Sequence, residues 1–187
     1  YGRQALVMIP EISLTPQTEK RFRDRFNVEV AMMHSGLTDQ DRLDAWNQAA
    51  TGEAAILLGT RSAVFTPMKH PGIIIIDEEH DQSYKQQDGF RYSARDLAVI
   101  RAKQEKIPII LGSATPSLES LYNCEKKRYQ HLILNTRAGD AKPPSWSMVD
   151  LKSEQVESGI AASTLNAIRQ AIHNKQQVLV FLNRRGF

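Results

Sequence analysis

A single cysteine, Cys124, stands among 187 residues, so no disulfide can close within the chain and no thiolate cluster can bind zinc there. A reducing cytoplasm is the natural setting. Long apolar runs are missing as well. The hydrophobic stretches are strand-sized, far below the roughly 20 residues of a membrane span, and the N-terminus lacks a charged leader followed by a hydrophobic signal region. The chain therefore reads as soluble and intracellular, with no membrane role. Charge of one sign is not in strong excess: 24 Lys plus Arg face 21 Asp plus Glu, a net +3, which permits a polyanionic partner without requiring one. Internal repeats and low-complexity tracts are absent. So is the glycine-rich phosphate loop G-x-x-x-x-G-K-[ST], the usual cradle for nucleotide phosphates. What is present, 41% hydrophobic residues, suits one buried domain plus part of another.

Short apolar blocks alternate with helical stretches: Ala5 to Ile9, Val28 to Met32, Ala54 to Leu58, Ile73 to Ile76 and Ile107 to Leu111. Thr15-Pro16 pairs an N-cap with proline at the first helical position and opens a helix over Gln17 to Phe26, with Phe22 and Phe26 one turn apart. Thr38 caps a second helix running to about Ala50, with Leu43 and Trp46 on its inner face. Ser93 and Asp96 have capping-box spacing and open a third, with Leu97, Ile100 and Arg101. Thr115-Pro116 repeats the cap-then-proline device. This alternation implies an α/β fold, a doubly wound parallel sheet. Residues 1–134 form a first lobe, and 135–145, with Gly139, Pro143 and Pro144, form a linker. Residues 146–187 begin a second, incomplete α/β lobe: a strand near Trp146 to Val149, a helix near Ser163 to His173, and a strand Val178 to Leu182.

The richest stretch is Ile73-Ile74-Ile75-Ile76-Asp77-Glu78-Glu79-His80. Consecutive isoleucines suit a strand buried on both faces, and parallel sheets bind ligands just beyond the carboxyl ends of their strands. At that rim Asp77 can hold a hydrated Mg²⁺ that bridges nucleotide phosphates, and Glu78 can take a proton from an attacking water. His80 lies close enough to report on the phosphate. An acidic, solvated turn is the plain alternative. Three further segments end strands of the same sheet: Ile9-Pro10-Glu11 through Gln17, Gly59-Thr60-Arg61-Ser62, and Gly112-Ser113-Ala114-Thr115-Pro116. Each alone also reads as a turn or a helix cap. Tyr84, Phe90 and Tyr92 interleave with Lys85, Arg91 and Arg95 directly after the acids, in a stretch with too little apolar periodicity for core. Aromatic faces there can stack on unpaired bases while the cations meet phosphates. His34-Ser35-Gly36 reads equally as a backbone contact or a plain loop. His70, His131 and His173 have no partner at ligand spacing, Cys124 has no assigned chemistry, and the Lys20 to Arg25 cluster is a solvated face.

In this order the segments resemble those of superfamily 2 helicases, and among them the bacterial replication-restart helicases. Ile9 to Gln17 resembles motif Ia, Gly59 to Phe65 motif Ib, Asp77 to His80 motif II, Gly112 to Pro116 motif III, and Leu182 to Phe187 motif IV. Asp81 to Tyr92 resembles the aromatic-rich loop that the restart enzymes share in role with RecQ-type helicases, with Phe90 where tryptophan is expected. The resemblance covers essentially the whole chain. It implies a RecA-like first lobe, the start of a second RecA-like lobe, and ATP and Mg²⁺ as cofactors. The implied activity is that of a 3′-to-5′ DNA helicase that unwinds DNA at stalled forks and promotes primosome assembly. Asp77 would bind the metal, Glu78 would be the base, and His80, Ser113 and Thr115 would couple the motifs. Pro10, Glu11, Thr60, Arg61, Ser62, Tyr84, Lys85, Phe90, Arg91, Tyr92, Arg95, Asn183, Arg184 and Arg185 would contact single-stranded or forked DNA. Single-stranded DNA-binding protein and primosome proteins are the implied partners, and a cytoplasmic, nucleoid-associated bacterial setting is the implied location. Zinc is implied only for a cysteine-rich segment after Phe187.

Two other readings stay open: another superfamily 2 translocase, acting on RNA or duplex DNA, and a non-catalytic module that binds single strands. The resemblance places the missing phosphate loop shortly before Tyr1. Because positioning of the phosphates supplies most of the catalysis in phosphoryl transfer, the 187-residue chain taken alone is expected to show no ATP hydrolysis above background in a phosphate-release assay. Hydrolysis that disappears in Glu78→Gln would overturn this.

Overall fold

In the computed structural model, which describes residues 2–136 and 144–181, the chain divides into two compact units, Tyr1–Leu132 and Ile133–Phe187. The first unit holds strands β1 (Gln4–Met8), β2 (Val30–Met33), β3 (Ile56–Gly59) and β4 (Pro71–Ile76), the short pair β5 (Lys85–Gln86) and β6 (Tyr92–Ser93), and β7 (Ile109–Leu111). Five of these form one parallel sheet in the order β2-β3-β1-β4-β7. The central strand is locked on both sides, Val7 facing Leu58 of β3 and Ile75 of β4. A parallel sheet delivers every strand to the same rim, so the segments after Met8, Met33, Gly59, Ile76 and Leu111 emerge together.

Alternation along the strands sorts side chains to two faces. Leu6, Met8, Ile74 and Ile76 pack with Ala45 and Ala49 of α2 (Asp39–Thr51) and Ala94, Ala98 and Ala102 of α3 (Ala94–Glu105). Val7, Ile9, Val30, Ile56 and Leu58 form the opposite cluster, joined by Leu14 and by Phe22 of α1 (Pro16–Phe26). Helices thus cover both faces, as the alternation of runs implies. The inner faces of α2 and α3 differ from expectation. Alanines spaced four apart lie against the sheet, while Leu43, Trp46 and Ile100 are 52%, 41% and 52% exposed. Small residues let the helix axis come close to the strands, and bulkier neighbours are left on the flanks. The isoleucine strand is likewise buried on one face only. Ile74 and Ile76 are fully buried, whereas Ile73 and Ile75 are half-buried.

The helix starts follow hydroxyl chemistry. Thr15 Oγ1 accepts from the Thr18 N–H at 3.2 Å, Thr38 from Asp41 at 3.1 Å and Ser93 from Asp96 at 3.3 Å. Thr115 does not cap. The N-cap of α4 (Leu118–Glu125) is Ser117, which accepts from the Ser120 N–H at 3.3 Å and leaves Thr115 free for another use. On α1, Lys20 pairs with Asp24 and Arg23 with Glu19 on the solvated face.

In the second unit, β8 (Val156–Glu157) and β9 (Ile160–Ala161) form a hairpin whose two turn residues, Ser158 and Gly159, both have positive φ. The helix α5 (Ala162–His173) follows, where the sequence places one. Ala161 cannot cap it, so Glu154 Oε2 accepts from the Ser163 N–H at 2.9 Å instead, which holds the Glu154 carboxyl below its usual range. The strands expected near 146–149 and 178–182 are a correction. Residues 146–149 and 178–181 pair with no strand among the described residues, and Trp146, Met148, Leu179 and Phe181 are largely exposed. An apolar run becomes a strand only where a neighbour supplies a ladder, and the two-residue hairpin strands supply none. Leu182, Asn183, Arg184 and Arg185 lie outside the described residues. No described helix is long and apolar enough to cross a membrane.

Gly59 shows how tightly the rim is built. A Cβ there would stand 2.5 Å from the Met33 carbonyl oxygen and 2.6 Å from the Ala63 methyl. Neither can retreat, because Met33 is in the ladder and Ala63 is buried beneath it. Gly59→Ala is expected to lower stability by about 1–3 kcal/mol through overpacking, read as a fall in the urea midpoint with an unchanged slope.

Candidate active site

The ladder determines how the three acids after β4 separate. The Asp77 N–H donates to Met8 O at 2.9 Å and the Gly112 N–H to Ile76 O at 2.8 Å, extending the sheet on both sides of the strand end. The Glu79 N–H then turns back to Gly112 O at 3.0 Å. To make that reversal Glu78 takes φ +46°, a left-handed conformation that costs a non-glycine residue of order 1 kcal/mol. Two hydrogen bonds hold it there: the Glu78 N–H donates to Asp77 Oδ1 at 3.0 Å, and the Asp81 N–H donates to Glu78 O at 2.8 Å. The outcome is an exposed Asp77, a half-exposed Glu78 and a buried Glu79.

Glu79 is the residue that sequence reasoning missed. Its side chain is 1% exposed and meets Arg95 at 3.1 Å, the Ser117 N–H at 2.6 Å, and the Ser117 and Ser120 hydroxyls at 3.0 Å each. Burial pushes its carboxyl up, but the donation from Ser117, Arg95 and Ser120 outweighs that and holds it below its usual range. In a run of three adjacent acids, nothing in the sequence distinguishes the one that turns inward. Only the reversal at Glu78 does so.

His80 joins two strand ends. Its Nδ1 shares a 2.7 Å hydrogen bond with Ser113 Oγ and lies 3.5 Å from Glu78 Oε2, and its Nε2 is 3.3 Å from Thr115 Oγ1. Ser113 Oγ also accepts the Thr115 N–H at 3.0 Å. The turns that follow β4 and β7 are therefore in direct contact, with the imidazole between them. Asp77 suits a hydrated Mg²⁺, a cation held by one or two carboxylates plus phosphates rather than by an all-protein cage. Among the described residues no group of three His, Cys, Asp or Glu converges. A cavity of about 350 Å³ opens beside His80, between Tyr84, Arg95 and Pro116, and neither Asp77 nor Glu78 lines it.

Several expected nucleic-acid contacts are structural instead. Tyr84 is 1% exposed and its hydroxyl donates to Asp77 O at 2.8 Å, so it offers no face for stacking. Arg95 is buried on Glu79, Asp96 and Ser117. Thr60 is buried under the rim, its N–H donating to Met33 O at 3.0 Å, and Pro10 is buried as well. Arg61 turns its guanidinium onto the Ser83 and Lys85 carbonyls at 3.2 and 3.3 Å. In sequence, aromatics and cations such as Tyr84, Arg95 and Arg61 look alike whether they face solvent or the interior, and Pro10 and Thr60 are expected contacts through their place in the segments that resemble helicase motifs.

The remaining candidates among the described residues are accessible. Glu11, Ser62, Lys85, Phe90 and Arg91 are exposed, and Tyr92 is half-buried. Glu11 accepts a hydrogen bond from the Ser35 hydroxyl, which draws the His34-Ser35-Gly36 loop to the motif Ia turn. Lys85 and Ser93 face each other across the β5–β6 hairpin, which presents residues 87–91 as its tip. Tyr92 packs between Phe90 (centroids 6.0 Å apart) and Phe65 (5.0 Å, edge-on), forming a partly exposed row of three rings. Phe65 was not singled out, since 26 residues separate it from Tyr92 and no local spacing links them.

Residues 1–124 match the DEAD/DEAH box helicase family. Among similar curated proteins, the replication restart protein PriA of Haemophilus influenzae is 50% identical over 186 residues, covering 100% of this chain and 26% of that protein. PriA of Bacillus subtilis is 40% identical over 190 residues (100% and 24%), and PriA of Rickettsia prowazekii is 40% identical over 188 residues (100% and 29%). The chain thus spans about a quarter of the length of these relatives.

Removing the charge of Glu79 tests its structural weight. Glu79→Gln removes the buried partner of Arg95 and leaves it only the exposed carboxylate of Asp96, and is expected to cost about 3–5 kcal/mol, the usual penalty for breaking a buried pair from one side, measured by chemical unfolding at neutral pH. Because the folded carboxyl titrates below its unfolded value, its stabilisation is complete above the ordinary glutamate range. It is lost as pH falls through the depressed folded value. The wild type should therefore lose stability on acidification more steeply than Glu79→Gln.

Proposed function

The chain belongs to the DEAD/DEAH box helicase family, and we propose that its RecA-like sheet is the first motor lobe of an ATP-dependent 3′-to-5′ DNA helicase. Its task would be to unwind DNA at stalled or abandoned replication forks and promote primosome assembly. Residues 135–145 would link this lobe to a second RecA-like lobe that 146–187 begin. Bound Mg²⁺–ATP would supply the phosphoryl group and the charge neutralisation. Asp77 would hold the metal at the rim, and Glu78 would take a proton from the attacking water. His80, with Ser113 and Thr115, would tie the aim of Glu78 to the motif III turn. The contact that carries this reading is the His80 bridge, 2.7 Å to Ser113 on one strand end and 3.5 Å to Glu78 on another. The complete protein would bring the phosphate-binding glycine loop that these residues lack, and any zinc would be held outside this chain.

DNA would enter as an unpaired strand across Phe90, Tyr92 and Phe65, with Lys85 and Arg91 at its phosphates and Ser62 and Glu11 along the rim. Arg184 and Arg185 of motif IV, with Asn183, would contact it from the second lobe. Stacking on such a row tolerates any base, which suits a motor acting at forks of arbitrary sequence. The identity of the relatives supports replication restart as the setting. The location would be the bacterial cytoplasm at the nucleoid, and the partners would be single-stranded DNA-binding protein and primosome proteins.

In the complete protein, Glu78→Gln should lower DNA-stimulated ATP hydrolysis by about 10²- to 10⁴-fold, the usual worth of a general base, with nucleotide binding retained. A Phe90→Ala, Tyr92→Ala double variant should weaken single-strand binding by roughly 1–3 kcal/mol per ring and lose the stimulation by DNA. Full stimulation in that double variant would remove the loop from the mechanism. Unwinding of 3′-tailed but not 5′-tailed duplexes tests the direction.

A further inference from the structure

A line of hydrogen bonds joined by backbone runs from the aromatic hairpin to the acids, and none of the roles above uses it. Arg61 donates to the Ser83 and Lys85 carbonyls, the two that flank Tyr84, and so clamps that residue from both sides. The Tyr84 ring is buried in the same core cluster as Ile76 and Ala94, and its hydroxyl reaches Asp77 O at 2.8 Å. That carbonyl belongs to the same peptide unit as the Glu78 N–H, which is held by Asp77 Oδ1 at 3.0 Å. A planar peptide turns as one body, so a grip on the carbonyl is a grip on the N–H and on the left-handed φ that follows it. Loosening the carbonyl would let Glu78 relax toward ordinary backbone and swing its carboxylate away from His80.

The other end of the line lies under the nucleic-acid surface. Lys85 opens the hairpin that carries Phe90 and Tyr92, and Arg61 begins the 3-10 turn that ends in Phe65, the third ring of the row. Pressure on the ring row therefore reaches Tyr84 from the hairpin and from the turn together. We propose that Tyr84 is a positioning residue: clamped by Arg61, its hydroxyl holds the Asp77–Glu78 peptide and conveys the seating of the aromatic hairpin to the aim of Glu78. Burial, and then the carboxylates of Asp77, Asp81 and Glu78, raise the pKa of this hydroxyl, so it remains a donor at any physiological pH. The inference rests on the assignment of Glu78 as the base.

The test is Tyr84→Phe in the complete protein, a change that keeps the ring in its core and removes only the donor. ATP hydrolysis is measured with and without a single-stranded oligonucleotide, strand affinity by fluorescence anisotropy, and Glu78→Gln runs beside it. The expected result is a fall of about tenfold in the ratio of stimulated to unstimulated kcat, the rate equivalent of one lost hydrogen bond. KM for ATP and Kd for the strand should be unchanged. Arg61→Gln, which frees the clamp without touching Tyr84, should lower the same ratio. An unchanged ratio in Tyr84→Phe, or a change confined to KM or Kd, would overturn the relay while an inactive Glu78→Gln left the base assignment standing. An active Glu78→Gln would overturn both.

Discussion

A carboxylate taken out of water stays charged only where other donors replace the solvent, and Glu79 is given four of them at the end of β4. Those donors come from the start of α3 and the start of α4, so one side chain fastens a strand end to two helices. The rest of the site follows from it. With Glu79 drawn inward and its N–H on Gly112, Glu78 has to take the left-handed turn, and Asp77 is left at the open rim. Three adjacent acids thereby acquire three different environments, and only the two facing water are available for a metal and a proton.

The architecture was largely legible in the sequence, and the reason is local. Strand-length β-branched runs and hydroxyl caps each follow from a handful of neighbouring residues, and the caps at Thr15, Thr38 and Ser93 are all occupied. The contact between motif II and motif III was also legible, because a parallel sheet sends strand ends to one rim whatever the helices between them do. The inward helix faces were harder to read. Leucine, tryptophan and isoleucine are the ordinary markers of core, yet in α2 and α3 alanine takes that place, since the spacing between helix and sheet is set by packing across the whole layer.

What the sequence hid most completely was the division between contact residues and their supports. Tyr84, Arg95, Thr60 and Arg61 have the chemistry of a nucleic-acid surface and serve the interior instead, supplying donors to backbone carbonyls and to a buried anion. Such groups are needed wherever a strand terminates abruptly, because the termination leaves polar atoms without ladder partners. The aromatic and basic residues left facing outward, Phe65, Phe90, Tyr92, Lys85 and Arg91, come from two separate segments. Their grouping depends on a tertiary contact between Phe65 and Tyr92.

The hairpin that carries the tip 87–91 is pinned at its base by the pairing of Lys85 with Ser93 and Gln86 with Tyr92. Chain inserted beyond a closed base is thermodynamically inexpensive, since doubling a flexible loop adds only about 0.6 kcal/mol of closure entropy. The tip can therefore lengthen, shorten or change its rings over evolutionary time without disturbing the register of the sheet. The hairpin tip is free to diversify, while the rim of the sheet, where a single added methyl at Gly59 collides with the backbone, is held to one solution.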